Sequence, residues 1–148
     1  MNLLELIRNI ELFRGLNTEE LEAIAAICKS RNLSKGEILV TENEIGDEFY
    51  IISQGAAEVL VRAAAPTPQS IIHLGSGQVV GEMALVDKGP RSATVKVLQD
   101  NTRVQVIHNA DFKALCEENK NIGYVVMGNI AADLSFKLRH RNLVSGKR

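Results

Sequence analysis

A mainly β fold, an antiparallel jelly-roll barrel with N-terminal helices and a long C-terminal helix, follows from three features of this 148-residue chain. From about residue 37 to 109 the apolar pattern shortens into alternating segments separated by glycine turns, which reads as strands. On both sides of that stretch apolar residues recur at helical spacing instead. Six to eight consecutive short strands of this kind imply closure into an antiparallel barrel of the jelly-roll type.

Leucine, isoleucine and alanine at helical spacing predict helices over residues 2–10 and 18–29. Asn17, with Glu20 three positions on, has the form of a capping box and starts the second helix. Within the barrel, Ala93, Val95 and Val97 alternate with Thr94, Lys96 and Leu98, separating an inward from a largely outward face. Val104 and Val106 alternate in the same way with Arg103 and Gln105. Residues 63–68, Ala-Ala-Ala-Pro-Thr-Pro, read as a hairpin loop without chemistry of its own. Helices then cover about 110–141, and in the last of them Ile122, Val126, Ile130, Leu134 and Leu138 predict one apolar stripe. With neither an internal repeat nor an interdomain linker, residues 1–148 are expected to form one domain around a single core.

Residues 81–95 carry the chemistry. Gly81 lets backbone approach a ligand closely, because no Cβ intervenes. Glu82-Met83-Ala84-Leu85 can open a helical turn whose unpaired amides face an anion, and Gly89-Pro90 ends it. Arg91 follows, a fork of donors matched to two oxygens of one phosphate, and Ser92-Ala93-Thr94 are small enough to let ligand and backbone meet. Each residue also has a plain alternative: Glu82 as a carboxylate suited to a helix dipole, Arg91 as a surface arginine after a turn. Their combination in one glycine- and alanine-constrained frame favours the ligand site.

Gly81-Glu82-Met83-Ala84-Leu85 with Arg91-Ser92-Ala93-Thr94-Val95 resembles the phosphate-binding cassette of cyclic nucleotide-binding domains. Leu12-Phe13-Arg14-Gly15-Leu16, Lys35-Gly36-Glu37-Ile38-Leu39 and residues 47–55 (DEFYIISQG) are similar to the entry helices and early strands of that family. The likeness covers roughly residues 5–142. It departs at Glu42-Asn43-Glu44, where the family usually has a glycine-bearing turn. The resemblance implies a cyclic purine mononucleotide ligand, cAMP favoured and cGMP open, bound by Gly81, Glu82, Met83, Ala84, Arg91, Ser92 and Ala93. Arg91 would neutralise the phosphate, helped by amides of Ala84 and of Ser92–Ala93. Glu82 would repel that phosphate and so is expected to accept from the ribose 2′-hydroxyl. It also implies that the last helix caps the base, near Lys137, Leu138 and Arg141.

Composition sets the remaining limits. A net charge of −1 offers no field to attract nucleic acid, and no apolar run approaches a membrane span. Cys28 and Cys116 are isolated and read as free thiols in a reducing compartment, giving a cytoplasmic expectation. His73, His108 and His140 are scattered, so neither a metal site nor a cupin-type centre is expected. No Ser-His-Asp set, Walker loop or dinucleotide fingerprint is visible. The expectation is a regulatory module with no cofactor and no catalysis, acting through another protein. Residues 142–148 are too short for a DNA-reading domain, and a homodimer is compatible with this reading. The alternative is the same fold kept for protein contact, with the ligand lost.

Overall fold

The computed structural model describes the backbone of residues 2–61 and 69–145, with the side chains of all these except 69–71 and 141–145. The 63–68 loop and the Arg141 side chain therefore lie outside the described residues. The chain opens with α1 (Leu3–Arg8), a 3₁₀ turn (Glu11–Phe13) and α2 (Thr18–Ala26). The predicted capping box is formed: Glu20 N–H donates to Asn17 Oδ1 at 2.8 Å, and Asn17 N–H to Glu20 Oε1 at 3.0 Å.

Eight strands follow: β1 (Lys29–Leu33), β2 (Ile38–Val40), β3 (Glu48–Gln54), β4 (Ala57–Val61), β5 (Gln69–Leu74), β6 (Val79–Val80), β7 (Thr94–Val97) and β8 (Thr102–His108). They make two antiparallel four-stranded sheets, ordered β1-β8-β3-β6 and β2-β7-β4-β5. The jelly roll is thus a sandwich of two sheets, not a hydrogen-bonded closed barrel. It begins at Lys29, within the predicted second helix and before the predicted barrel start. Lys29-Ser30-Arg31-Asn32 carries no apolar period and buries only its last residue, Leu33. A polar edge strand of this kind is defined by its pairing with β8 and leaves no alternation to read.

Two apolar clusters replace the expected single core. Leu33, Val40, Tyr50, Ile52, Val80, Val95, Val97, Val104 and Val106 fill the space between the sheets. Phe49, Ile51 and Ile107 alternate with them and face outward, under the helices, against Ile7, Phe13, Ile24, Phe112, Ile122 and Val126. Phe49 and Phe112 meet edge to face with ring centroids 5.8 Å apart. Gln105, expected on an outward face, is buried for the same reason: that face is roofed by helices.

After β8, α3 (Asn109–Glu118) leads into α4 (Lys120–Ser145). The four-residue stripe predicted on α4 holds only at its start. Ile122, Val126 and Ile130 are buried, whereas Leu134 and Leu138 are exposed. A helix turns through 3.6 residues, so each four-residue step drifts about 40° and four steps about 160°. Leu138 consequently lies almost opposite Ile122.

Candidate functional site

β6 is followed by Gly81, whose φ of 83° is a left-handed conformation that favours glycine. The chain then makes the 3₁₀ turn Glu82–Leu85, with Leu85 buried in the helical cluster as its anchor. The Ala84 amide donates back to the Gly81 carbonyl at 3.2 Å, closing the turn. Asn109 Nδ2 donates to the Ala84 carbonyl at 3.4 Å and joins the turn to the start of α3.

Arg91 folds its guanidinium beneath Gly81. Its Nη1 donates to the Gly81 carbonyl at 3.2 Å and its Nη2 to the Glu48 carbonyl at 2.7 Å. The guanidinium threads between Gly46 and Gly81, and a methyl group at either position would overlap it. Gly81 therefore serves twice, once through its φ and once through the space it leaves. The Arg91 backbone is fixed as well: its N–H donates to Glu44 O, and Asn43 N–H donates to Arg91 O, both at 2.8 Å. Asn43 adopts φ 74°, so at the departure from the glycine-bearing turn asparagine takes the left-handed position.

Glu82 faces the other way. It lines a cleft of about 750 Å³ bounded by the 3₁₀ turn, residues 72–79, residues 9–14 and α4. Met83, Asp133, Phe136 and Lys137 line the same cleft. Burial pushes the Glu82 carboxyl above its ordinary range, with nearby Lys137 acting against the shift and Asp133 with it. Lys137 Nζ is paired with Asp133 Oδ2 at 2.8 Å, one turn back on the helix. The site thus offers a carboxylate acceptor on the cleft side of Gly81 and a guanidinium on the sheet side.

Of the residues predicted for the site, Gly81 and Arg91 are in direct contact, and Glu82, Met83 and Lys137 share one cleft. Ser92 is exposed and Ala93 half-buried, just ahead of β7. Leu138 is 57% exposed and does not line the cleft; Phe136 does. Gly46, Glu48, Asp133 and Phe136 were not expected at the site, and Asn43 was expected only as part of a departure from the family's turn. A strict 3.6-residue period from Ile122 would have found Asp133 and Phe136, which fall on the Ile122 face. Among the described residues, no group of three or more His, Cys, Asp or Glu could hold a metal ion, and no helix is long and apolar enough to cross a membrane.

Residues 30–119 match the family model of the cyclic nucleotide-binding domain. The chain belongs to that family. A cyclic nucleotide-gated potassium channel of Mesorhizobium japonicum is 31% identical to this cyclic nucleotide-binding domain over 82% of the chain and 32% of the channel. A cAMP-dependent protein kinase regulatory subunit of Mycosarcoma maydis is 33% identical over 67% of the chain and 19% of the subunit. The crystal structure of the Thermus thermophilus catabolite activator protein superposes with a TM-score of 0.80 at 26% identity, covering 92% of this chain and 62% of that one. The domain thus spans from a fifth to some three fifths of these relatives' own lengths.

Proposed function

We propose that the domain binds a cyclic purine mononucleotide, cAMP in preference to cGMP, and reports occupancy to a partner protein through α4. One observation carries this reading: Gly81 sets Glu82 on the cleft and, on its other side, makes room for the Arg91 guanidinium. A cyclic phosphodiester brings one negative charge. Arg91 spends two of its five N–H donors on carbonyls, which leaves the rest of the fork for phosphate oxygens. The Ser92–Ala93 amides are the other donors assigned to that anion; the Ala84 amide, expected to join them, is bonded to the Gly81 carbonyl instead. Glu82, an acceptor that repels phosphate, takes the ribose 2′-hydroxyl. Phe136 and Lys137 line the same cleft as Glu82 and are assigned to cover the base.

The preference for cAMP draws support from relatives, since the regulatory subunit is named for cAMP dependence. A role in binding and signalling, not catalysis, fits a site that holds a charge and a hydroxyl but presents no nucleophile–base pair. Two half-buried free cysteines, with Cys28 pushed up to about 12 by burial, suit a reducing compartment such as the cytoplasm. Isothermal titration with cAMP and cGMP tests the proposal. Saturable 1:1 binding of cAMP, tighter than cGMP, is expected. Binding of neither nucleotide would leave the fold as a protein-contact module.

A further inference from the structure

The bond from Arg91 Nη2 to the Glu48 carbonyl is the shorter of the two that hold the guanidinium, so the position of that carbonyl sets the aim of the fork. Glu48 is the first residue of β3, paired in register with His108 of β8. Its side chain adds to that pairing. Tyr50 donates its hydroxyl to Glu48 Oε1 at 2.6 Å. His108 Nδ1 lies 3.3 Å and Arg31 Nη2 3.7 Å from Glu48 Oε2. These three partners come from β3, the end of β8 and β1, so one carboxylate ties three strands of a sheet together at the point where Arg91 docks. The carboxylate is largely buried, at 16% exposure, and Tyr50 is 4% exposed. Burial and the bond to Glu48 push the Tyr50 hydroxyl up to about 12, which keeps it a donor throughout the neutral range.

We propose that Glu48, clamped by Tyr50, His108 and Arg31, is a positioning residue for Arg91: it contacts no ligand, but holds the carbonyl that aims the guanidinium. The consequence for nucleotide affinity rests on the function proposed above. The arrangement also links the arginine to the helices beyond β8, because His108 immediately precedes α3 and Asn109 N–H donates to Asp47 O at 2.8 Å, next to Glu48.

Two arms test the clamp. In the first, without nucleotide, the Arg91 side-chain Nε–H resonance is assigned by its loss in Arg91→Ala and followed in Glu48→Ala, Glu48→Gln and Tyr50→Phe. Glu48→Ala and Tyr50→Phe are expected to shift or broaden it, and Glu48→Gln, which still accepts from Tyr50, to restore it. An unmoved resonance in Glu48→Ala overturns the clamp whatever the ligand. In the second arm, cAMP affinity is measured by titration. Glu48→Ala should weaken it about tenfold, the scale of one loosened hydrogen bond to a charged group. The same change in an Arg91→Ala background should have no further effect, because the residue acts through the arginine. Additive losses overturn the positioning role, even if Glu48→Ala is also less stable. Failure of the unaltered protein to bind cAMP refutes the proposed function, while the resonance still decides the clamp.

Discussion

Arg91 and Glu82 sit on opposite sides of one glycine, and their surroundings make different demands. Arg91 is docked on two backbone carbonyls and fills the space between Gly46 and Gly81, so removing its side chain takes a positive charge out of the site and also two hydrogen bonds out of the fold. Arg91→Ala is therefore expected to cost about 3 kcal/mol of nucleotide binding, the scale of a lost charge-assisted contact, and to lower the melting temperature, because the side chain is not free to solvate in the empty state. Titration and thermal melts of both forms check this; equal affinity would remove Arg91 from the site. Glu82 is a carboxylate made uncomfortable by burial. Because its folded-state pKa is raised, ionisation costs stability at neutral pH, and the cost disappears below the unfolded carboxylate value. Glu82→Gln is expected to melt no lower than the natural protein at neutral pH, with any gain shrinking as the pH falls through the carboxylate range. The same change should weaken a cyclic ribonucleotide far more than its 2′-deoxy analogue, and equal losses for both ligands would reject the ribose role.

At the scale of elements, α4 divides into a half that packs and a half that faces the cleft. Ile122 is fully buried, so Ile122→Ala should cost about 2–5 kcal/mol in chemical denaturation. Leu138 is largely exposed, and Leu138→Ala should stay within about 0.5 kcal/mol. Comparable costs would mean that the helix packs along the four-residue row after all. The cleft-facing half is the part that the proposed function assigns to the ligand. Asp133, Phe136 and Lys137 line the cleft with Glu82, and a nucleotide could draw them in only by its differential affinity for a closed arrangement. Truncation before Lys137 is expected to weaken cAMP binding, and saturating cAMP to slow hydrogen exchange over residues 130–140. Unchanged exchange together with unchanged affinity would reduce α4 to a packing element.

The whole molecule is joined by contacts between its two ends. Asn121 Nδ2 on α4 donates to Glu20 Oε2 on α2 at 2.9 Å, and Asn129 Nδ2 donates to the carbonyls of Leu12 and Arg14 at 2.8 and 2.9 Å. The same Glu20 side chain closes the capping box of α2, so one buried carboxylate serves a helix start and an interhelical seam. The bonds from Asn121 and Asn17 hold the Glu20 carboxyl below its ordinary range, outweighing its desolvation. A depressed folded-state pKa contributes stability above the unfolded value and loses it as the pH falls through the folded one. Melting temperature should accordingly drop on acidification below about pH 5, and Glu20→Gln, which cannot ionise, should flatten part of that drop. Parallel acid profiles for the two proteins would show that the seam does not depend on this charge.

What the sequence determined by itself is what neighbouring residues decide among themselves. The Asn17–Glu20 box spans four residues, the Gly81–Leu85 turn five, and the strand alternation of Val95 and Val97 three, so each is written in a short stretch of chain. For the same reason the family pattern that joins Gly81-Glu82 to Arg91 was legible within one segment, whereas the bond from Arg91 to the Gly81 carbonyl was not. Tertiary structure decided the rest. Lys29–Leu33 becomes a strand only because β8 lies beside it, and Gln105 is buried only because helices cover that face. The Glu48 carbonyl meets Arg91 from 43 residues away, and Gly46 clears the space between them. Such partners are brought together by strand register and by packing across the sheets, and no local spacing in the chain encodes them.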